Sequence, residues 1–403
     1  MKQGCCAALL AAAALTAATP AQARLDSEVF TGTLGTQAIV LELNRAVPED
    51  VSGRYFYAKH HHDLLLTGNI QGSQIHLVEG HEPAPDAGVE SLPTLALWHA
   101  AQGGLQGEWQ SPQGKRLPIN LLPARLPQQW GDADPFLSRQ YTESPYEFLR
   151  LMQLPLTPGE PENFRGYPLL WLSEPSSGLG IFVVEDGYPE DQLKRVNQRL
   201  RARLSSDVVA YHQCMLLGRP GAYYRQTVTP RYMTNALVSV SVVQDYSCEG
   251  TPMLPTDVPL NLAVESGNVL TLEDVLWVGE GKPLHYEYQP GPNPEQLATV
   301  SFGAYMEYRS RTFAPWLLEQ LKQLYPQHMA AEVGENGCDY AQPQVWQTPT
   351  WRFTPEGIQF DPVFDSVQRH VAAWTGQCCR IGCSGSIRAG WRWNCPSKVC
   401  STM

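Results

Sequence analysis

The 403-residue chain carries no G-x-S-x-G elbow, no H-E-x-x-H, no S-x-x-K and no phosphate-binding glycine loop. The compact signatures of several large enzyme classes are therefore missing. Its 40 acidic residues are scattered, and no two are marked out as a general acid and base. Basic residues are scarce: 29 Lys and Arg leave a net charge of −11. Nucleic acid needs clustered Lys and Arg, so the balance argues against that partner. Beyond Ala23 no apolar run approaches the roughly 20 residues of a membrane helix, and no membrane anchor is expected. These absences lower the case for an enzyme, although residues far apart in sequence can still meet in a site.

What is present begins with residues 1–23. Lys2 supplies a positive start, Cys5 to Ala18 an apolar run, and Ala21-Gln22-Ala23 a small-x-small cleavage site. That is the layout of a secretory signal peptide cut before Arg24, and the expected location is the periplasm. Cys5 and Cys6 come too early for a lipoprotein anchor. A hydrophobic content of 43% with 17% charged residues describes a globular chain. The 33 prolines and 33 glycines, with 17 Tyr and 11 Trp, favour short strands joined by tight turns. An acidic chain steers cationic partners at long range, and acidity also serves solubility alone.

The expected fold class is α+β, in two domains. Residues 24–125 read as an antiparallel β meander of seven or eight strands, forming a curved sheet or small barrel. Ile39, Leu41 and Leu43 alternate with Val40, Glu42 and Asn44, a period of 2. A short phrase recurs in Thr31-Gly32-Thr33-Leu34, Ser52-Gly53-Arg54-Tyr55, Thr67-Gly68-Asn69-Ile70 and Gln106-Gly107-Glu108-Trp109. Glycine inside such strands marks bends or bulges. Residues 126–145, polar and Pro-containing, read as a linker, and residues 146–377 as a mixed α+β domain. There a hairpin is expected from Leu169–Leu172 and Gly180–Val184. A helix after Pro189 puts Leu193, Val196, Leu200 and Leu204 on one face. Leu237–Val243 reads as a half-buried strand, Val238, Val240 and Val242 alternating with Ser239 and Ser241, and Leu260–Val264 as the next. Thr271-Leu272-Glu273-Asp274 opens a short helix. A second amphipathic helix spans Pro315 to Tyr325, and Trp351–Phe353 pairs with Ile358–Phe360.

Several of these segments carry a resemblance. They are Val196-Asn197, the strand Leu237–Val243, Asp245-Tyr246-Ser247-Cys248-Glu249-Gly250, and above all Glu265-Ser266-Gly267-Asn268-Val269-Leu270-Thr271-Leu272-Glu273-Asp274-Val275-Leu276 after Leu260–Val264. With Thr354-Pro355-Glu356-Gly357-Ile358-Gln359-Phe360 they make the second half resemble the RsiV-like domain. That domain is known from extracytoplasmic anti-sigma factors that sense lysozyme and from some peptidoglycan deacetylases. The resemblance implies helices packed on an antiparallel sheet, a binding task, and no catalysis of its own. The family usually has a Gly-Gly-Ala-His type turn where Cys248-Glu249-Gly250-Thr251-Pro252 stands here, so no role passes to that histidine.

With the signal removed, eight cysteines remain, and an oxidising compartment favours disulfides. Cys214 and Cys248 flank the central strand and are the expected pair, with Cys338 a candidate to pair with the tail. That tail, residues 378–403, holds Cys378, Cys379, Cys383, Cys395 and Cys400. It reads as a disulfide knot, as a zinc site from its last four cysteines, or as a reading-frame change. The abrupt shift in composition favours the last. His60 and His62 would share a face if Lys59–Asp63 were a strand, making them weak metal-ligand candidates; a solvated hairpin end is the simpler reading. No catalytic residue and no cofactor is implied. The expectation is an exported, non-catalytic binding protein for a protein or cell-wall component, with a cationic protein such as lysozyme as the concrete partner. The alternative is a cell-envelope hydrolase with a dispersed active site.

Overall fold

In a computed structural model, which describes residues 27–81, 91–128, 134–218, 221–250, 255–286, 300–330, 339–355 and 357–364, the N-terminal runs of alternating residues close on themselves. Residues 1–23, expected as a signal segment, Cys338 and the tail 378–403 lie outside the described residues. The chain divides into two units, Met1–Arg125 and Leu126–Met403.

The first unit is an eight-stranded antiparallel barrel. Its strands are β1 (Ser27–Leu34), β2 (Gln37–Asn44), β3 (Val51–Tyr57), β4 (Asp63–Gln71), β5 (Gln74–Glu79), β6 (Thr94–His99), β7 (Leu105–Gln110) and β8 (Arg116–Pro123). Each pairs with the next, and β1 pairs with β8. Closure leaves no sheet edge unpaired, and eight strands enclose a space that side chains can fill. Leu34, Leu41, Leu43, Val51, Tyr55, Leu66 and Leu97 fill it, all at most 1% exposed.

The recurring glycines share the inward face with these residues. Gly32 pairs with Ile39 and Leu121, Gly53 with Leu43 and Leu66, and Gly68 with Val51 and Leu77. Gly107 stands opposite Leu97 and Ile119. A Cβ on Gly68 would lie far inside contact distance of the His76 carbonyl oxygen, and one on Gly32, Gly53 or Gly107 would meet a neighbouring carbonyl in the same way. The strands coil tightly where these glycines stand.

The second unit begins inside the stretch expected as a linker. Pro135–Glu143 is helix α1, followed by α2 (Pro145–Met152). Asp134 caps α1, accepting from the Leu137 amide (2.7 Å), while its other oxygen accepts from Ser205 Oγ (2.8 Å). The linker reading for residues 126–145 is corrected here: Asp134-Pro135 is a cap followed by Pro at the first helical position, a helix start. Strands β9 (Thr157–Phe164), β10 (Tyr167–Ser173) and β11 (Gly180–Val184) form an antiparallel sheet. In the turn between the last two, Glu174 accepts from the amides of Ser176 (2.9 Å) and Ser177 (2.6 Å). Burial acts to raise its pKa, but these donors outweigh burial and hold the carboxyl below its ordinary value.

Helix α3 (Glu190–Leu217) packs Val196, Leu200, Leu204 and Val208 into the main core of this unit, each at most 2% exposed. Strands β12 (Tyr223–Met233) and β13 (Leu237–Ser247) pair with each other, and β13 also pairs with β14 (Thr256–Asp257) and β15 (Leu260–Ala263). The expected half-buried strand is buried on both faces. Val238, Val240 and Val242 enter the core, and Ser239 and Ser241 are just as inaccessible. A hairpin of β16 (Thr350–Thr354) and β17 (Gly357–Asp361) covers the serine face. The hydroxyls tolerate this because each is hydrogen-bonded, Ser239 to Asn261 (2.6 Å) and Ser241 to Asp257 (2.7 Å). Cys214 and Cys248 form a disulfide with their Cα atoms 4.8 Å apart.

Replacing Gly68 by Ala should lower barrel stability by about 1–3 kcal/mol, since overpacking forces the strand to shift; urea unfolding followed by tryptophan fluorescence measures it. Glu174 gives a pH test. Below the ordinary carboxyl value of 4.5 the unfolded chain takes up a proton that the folded chain resists. Its stabilising effect is present above that pH and lost as pH falls through the lowered folded value. Unfolding curves of Glu174→Gln should therefore be flatter over this acid range than those of the wild type.

Candidate functional site

The second core of this unit gathers helices α4 (Leu272–Val275), α5 (Phe302–Tyr308), α6 (Ala314–Leu324) and α7 (Pro326–Met329) with the β16–β17 hairpin. Thr271 starts α4 through a capping box: its hydroxyl accepts from the Asp274 amide while the Asp274 side chain accepts from the Thr271 amide (2.8 Å). This cap fixes the turn in which Glu273 points inward, 3% exposed. Ser301 caps α5, accepting from the Ala304 amide at 3.3 Å.

Between α5 and α6 the helix widens into a π turn, Arg309–Phe313, and the Ala314 amide donates back to the Arg309 carbonyl. The sequence expectation began this helix at Pro315; the structure carries it upstream to Phe302. Pro315 explains the widening. It has no N–H for the Arg311 carbonyl, and its ring crowds that carbonyl, which favours the looser turn. Such turns are rare and recur at functional sites.

The π turn delivers Arg309 into the interior, 5% exposed. Its Nη2 meets Glu273 Oε1 at 2.7 Å, and Nε and Nη2 donate to the Tyr305 hydroxyl at 2.9 and 2.7 Å. The guanidinium also lies over the rings of Phe313 (4.7 Å) and Tyr305 (5.1 Å). Burial pushes the Glu273 carboxyl up, against the pull of Arg309. Burial raises the Tyr305 hydroxyl to about 12, with Arg309 again opposing. At neutral pH Tyr305 thus keeps its proton and donates it in a hydrogen bond to Glu273.

Aromatic rings surround this ion pair. Trp277 lies 4.4 Å from Tyr308, and Tyr286 lies 5.0 Å from Phe302 and 5.8 Å from Tyr305. Phe302 is 52% exposed, so the aromatic group reaches the surface. Two buried donors of the cluster, Arg309 Nη1 and Trp277 Nε1, have no acceptor among the described residues. Unmatched buried donors cost free energy and are uncommon. Chemically the arrangement suits an oxygen acceptor attached to a ring or hydrocarbon surface.

Other buried carboxylates of the second unit are tied to structure. Asp257 and Asp361 are held by Arg352, and Asp207 accepts from Arg203, Gln226 and Gln244. The candidate metal ligands do not meet the condition set for them. His60 and His62 are exposed in the turn between β3 and β4, where His61 has φ 60°, so no strand places them on one face. Among the described residues no group of three or more His, Cys, Asp or Glu is arranged to hold a metal ion.

No protein-family model and no curated protein matches this chain.

Sequence reasoning singled out Glu273 only as part of a helix start and did not single out Arg309, Tyr305 or Trp277. One signal was present: Ser301 is followed by aromatic residues at 302, 305 and 308, a helical spacing. Replacing Glu273 by Ala leaves a buried guanidinium unpaired and should cost about 3–5 kcal/mol. The double variant Glu273→Leu, Arg309→Met should recover much of that loss, measured by chemical unfolding of the three proteins.

Proposed function

We propose that this chain is an exported periplasmic binding protein, non-catalytic, with an RsiV-like second unit that recognises a cell-wall component. The observation that carries this reading is the buried Arg309, held on one side by Glu273 and Tyr305, with both N–H groups of Nη1 lacking an acceptor among the described residues, beside aromatic surface that reaches solvent. Peptidoglycan fragments offer that combination, sugar rings for stacking on aromatics and carboxylates for a guanidinium. The tying of the buried carboxylates to guanidinium, amide and hydroxyl donors fits a binder better than the alternative of a dispersed hydrolase site.

A second reading rests on a separate observation. The net charge of −11 favours encounter with a cationic protein such as lysozyme. Calorimetric titration separates the two. The expected result is saturable binding of soluble muropeptides that persists at physiological salt and weakens at least about tenfold in Arg309→Lys, which keeps the charge and loses the planar fork. Lysozyme binding that survives the same salt, with no response to muropeptides, would overturn the cell-wall reading in favour of the protein partner. Turnover of muropeptides during the titration would return the hydrolase.

A further inference from the structure

The barrel carries a second constellation, independent of the site in the other unit. Inward residues lie in layers set by the strand register: Leu66 stands opposite Glu79, Tyr55 opposite Leu64, and Trp109 opposite Leu95 and Leu117. Glu79 therefore points into the barrel on the same face as the apolar filling. Its Oε2 accepts from the Tyr55 hydroxyl at 2.7 Å and from the Trp109 indole N–H at 2.8 Å. Tyr55 is fully buried, and burial with the neighbouring Glu79 charge raises its pKa strongly.

Two features mark this as more than a packed interior. The layer holding Tyr57, Leu64, Glu79, Trp109 and Leu117 is only partly buried, while Leu34, Tyr55 and Ile119 beneath it are at most 1% exposed. Solvent thus reaches this end of the barrel and stops there. Second, among the described residues no guanidinium, ammonium or imidazole pairs with Glu79. Both of its hydrogen bonds go to Oε2, and both donors are neutral. A carboxylate in apolar and aromatic surroundings is costly without a counter-charge.

We propose that this end of the barrel binds an organic ammonium ion bearing methyl groups, with Glu79 as counter-charge and the faces of Tyr57 and Trp109 as its aromatic wall. The lining selects this chemistry. The Tyr55 hydroxyl and the Trp109 N–H are committed to Glu79, and the side chains of Leu64 and Leu117 with the ring of Tyr57 favour a cation that carries hydrocarbon over a strongly hydrated one. Aromatic faces attract cations through the ring quadrupole, most strongly where water is displaced.

Choline and its neutral isostere 3,3-dimethylbutan-1-ol are the probes. The readout is the Trp109 indole ¹H–¹⁵N resonance of the full mature chain, assigned by its loss in Trp109→Phe. Choline should shift this resonance saturably, with the neutral alcohol at least about tenfold weaker. Glu79→Gln keeps an acceptor for Tyr55 and Trp109 but removes the charge, and should abolish the choline response. Absence of any choline shift in the wild type, equal responses to choline and the alcohol, or undiminished choline affinity in a folded Glu79→Gln protein would each overturn the proposal. If Glu79→Gln does not fold, Tyr57→Leu decides: choline affinity reduced several-fold supports the site, and unchanged affinity removes it.

Discussion

The second unit depends on one guanidinium. Arg352, 2% exposed on β16, binds Asp257 of β14 through Nη1 and Asp361 of β17 through Nη2, and its Nε donates to Gln359 at 3.2 Å. Asp257 in turn accepts from the Val242 amide and from Ser241 (2.9 and 2.7 Å), both on β13. A buried ion pair adds little net stability over well-packed apolar groups, because desolvation offsets attraction. What it fixes is register. The hairpin that covers the serine face of β13 can sit in one position only, the one that leaves no carboxylate unpaired. The Phe353 amide on Ser239 (3.2 Å) and the Asn261 amide on the Trp351 carbonyl (3.1 Å) enforce the same placement.

The barrel solves its problem of specificity by shape. Its polar groups face outward in pairs such as Arg54 with Glu42 (2.8 Å), and its interior is apolar except at one end. Four inward glycines set the coil of the strands there, and no polar pair is needed to hold register. One unit is thus keyed by charge and the other by the absence of a Cβ. This difference also separates their candidate sites. In the second unit a buried cation has donors to spare; in the barrel, among the described residues, a carboxylate pairs with no cation.

Much of the fold was legible from periodicity. The eight strands, the α3 face, the β10–β11 hairpin and the cap at Thr271 follow from spacing and turn residues, all local signals. What local signals missed has a common cause. The Ser239–Ser241 face looked solvated because alternation reports polarity and is silent on whether a hydroxyl finds a partner. Asp134-Pro135 looked like linker because its second carboxylate partner, Ser205, lies 71 residues away. The sites fail for the same reason: Tyr305 and Glu273 are 32 residues apart, Glu79 and Trp109 30. Such meetings are set by register and closure, which no short window of sequence contains.

The π turn ties the second site to helix packing. Tyr305, Arg309, Phe313, Leu317 and Leu321 follow one another at intervals of four, and the last four are buried. In a regular α-helix each such step drifts about 40° around the axis, so four steps would carry Leu321 about 160° from Tyr305. Both could not then face the same core. A wider turn at Arg309–Phe313 takes back part of that drift and keeps the stripe on one side. Pro315 therefore does two things at once, loosening the helix ladder and aligning a guanidinium from a mostly aromatic face with a leucine face. Leu317 and Leu321 anchor the helix in the core, and the same alignment holds Arg309 against Glu273. The site is placed by packing, and the packing needs the turn that makes the site.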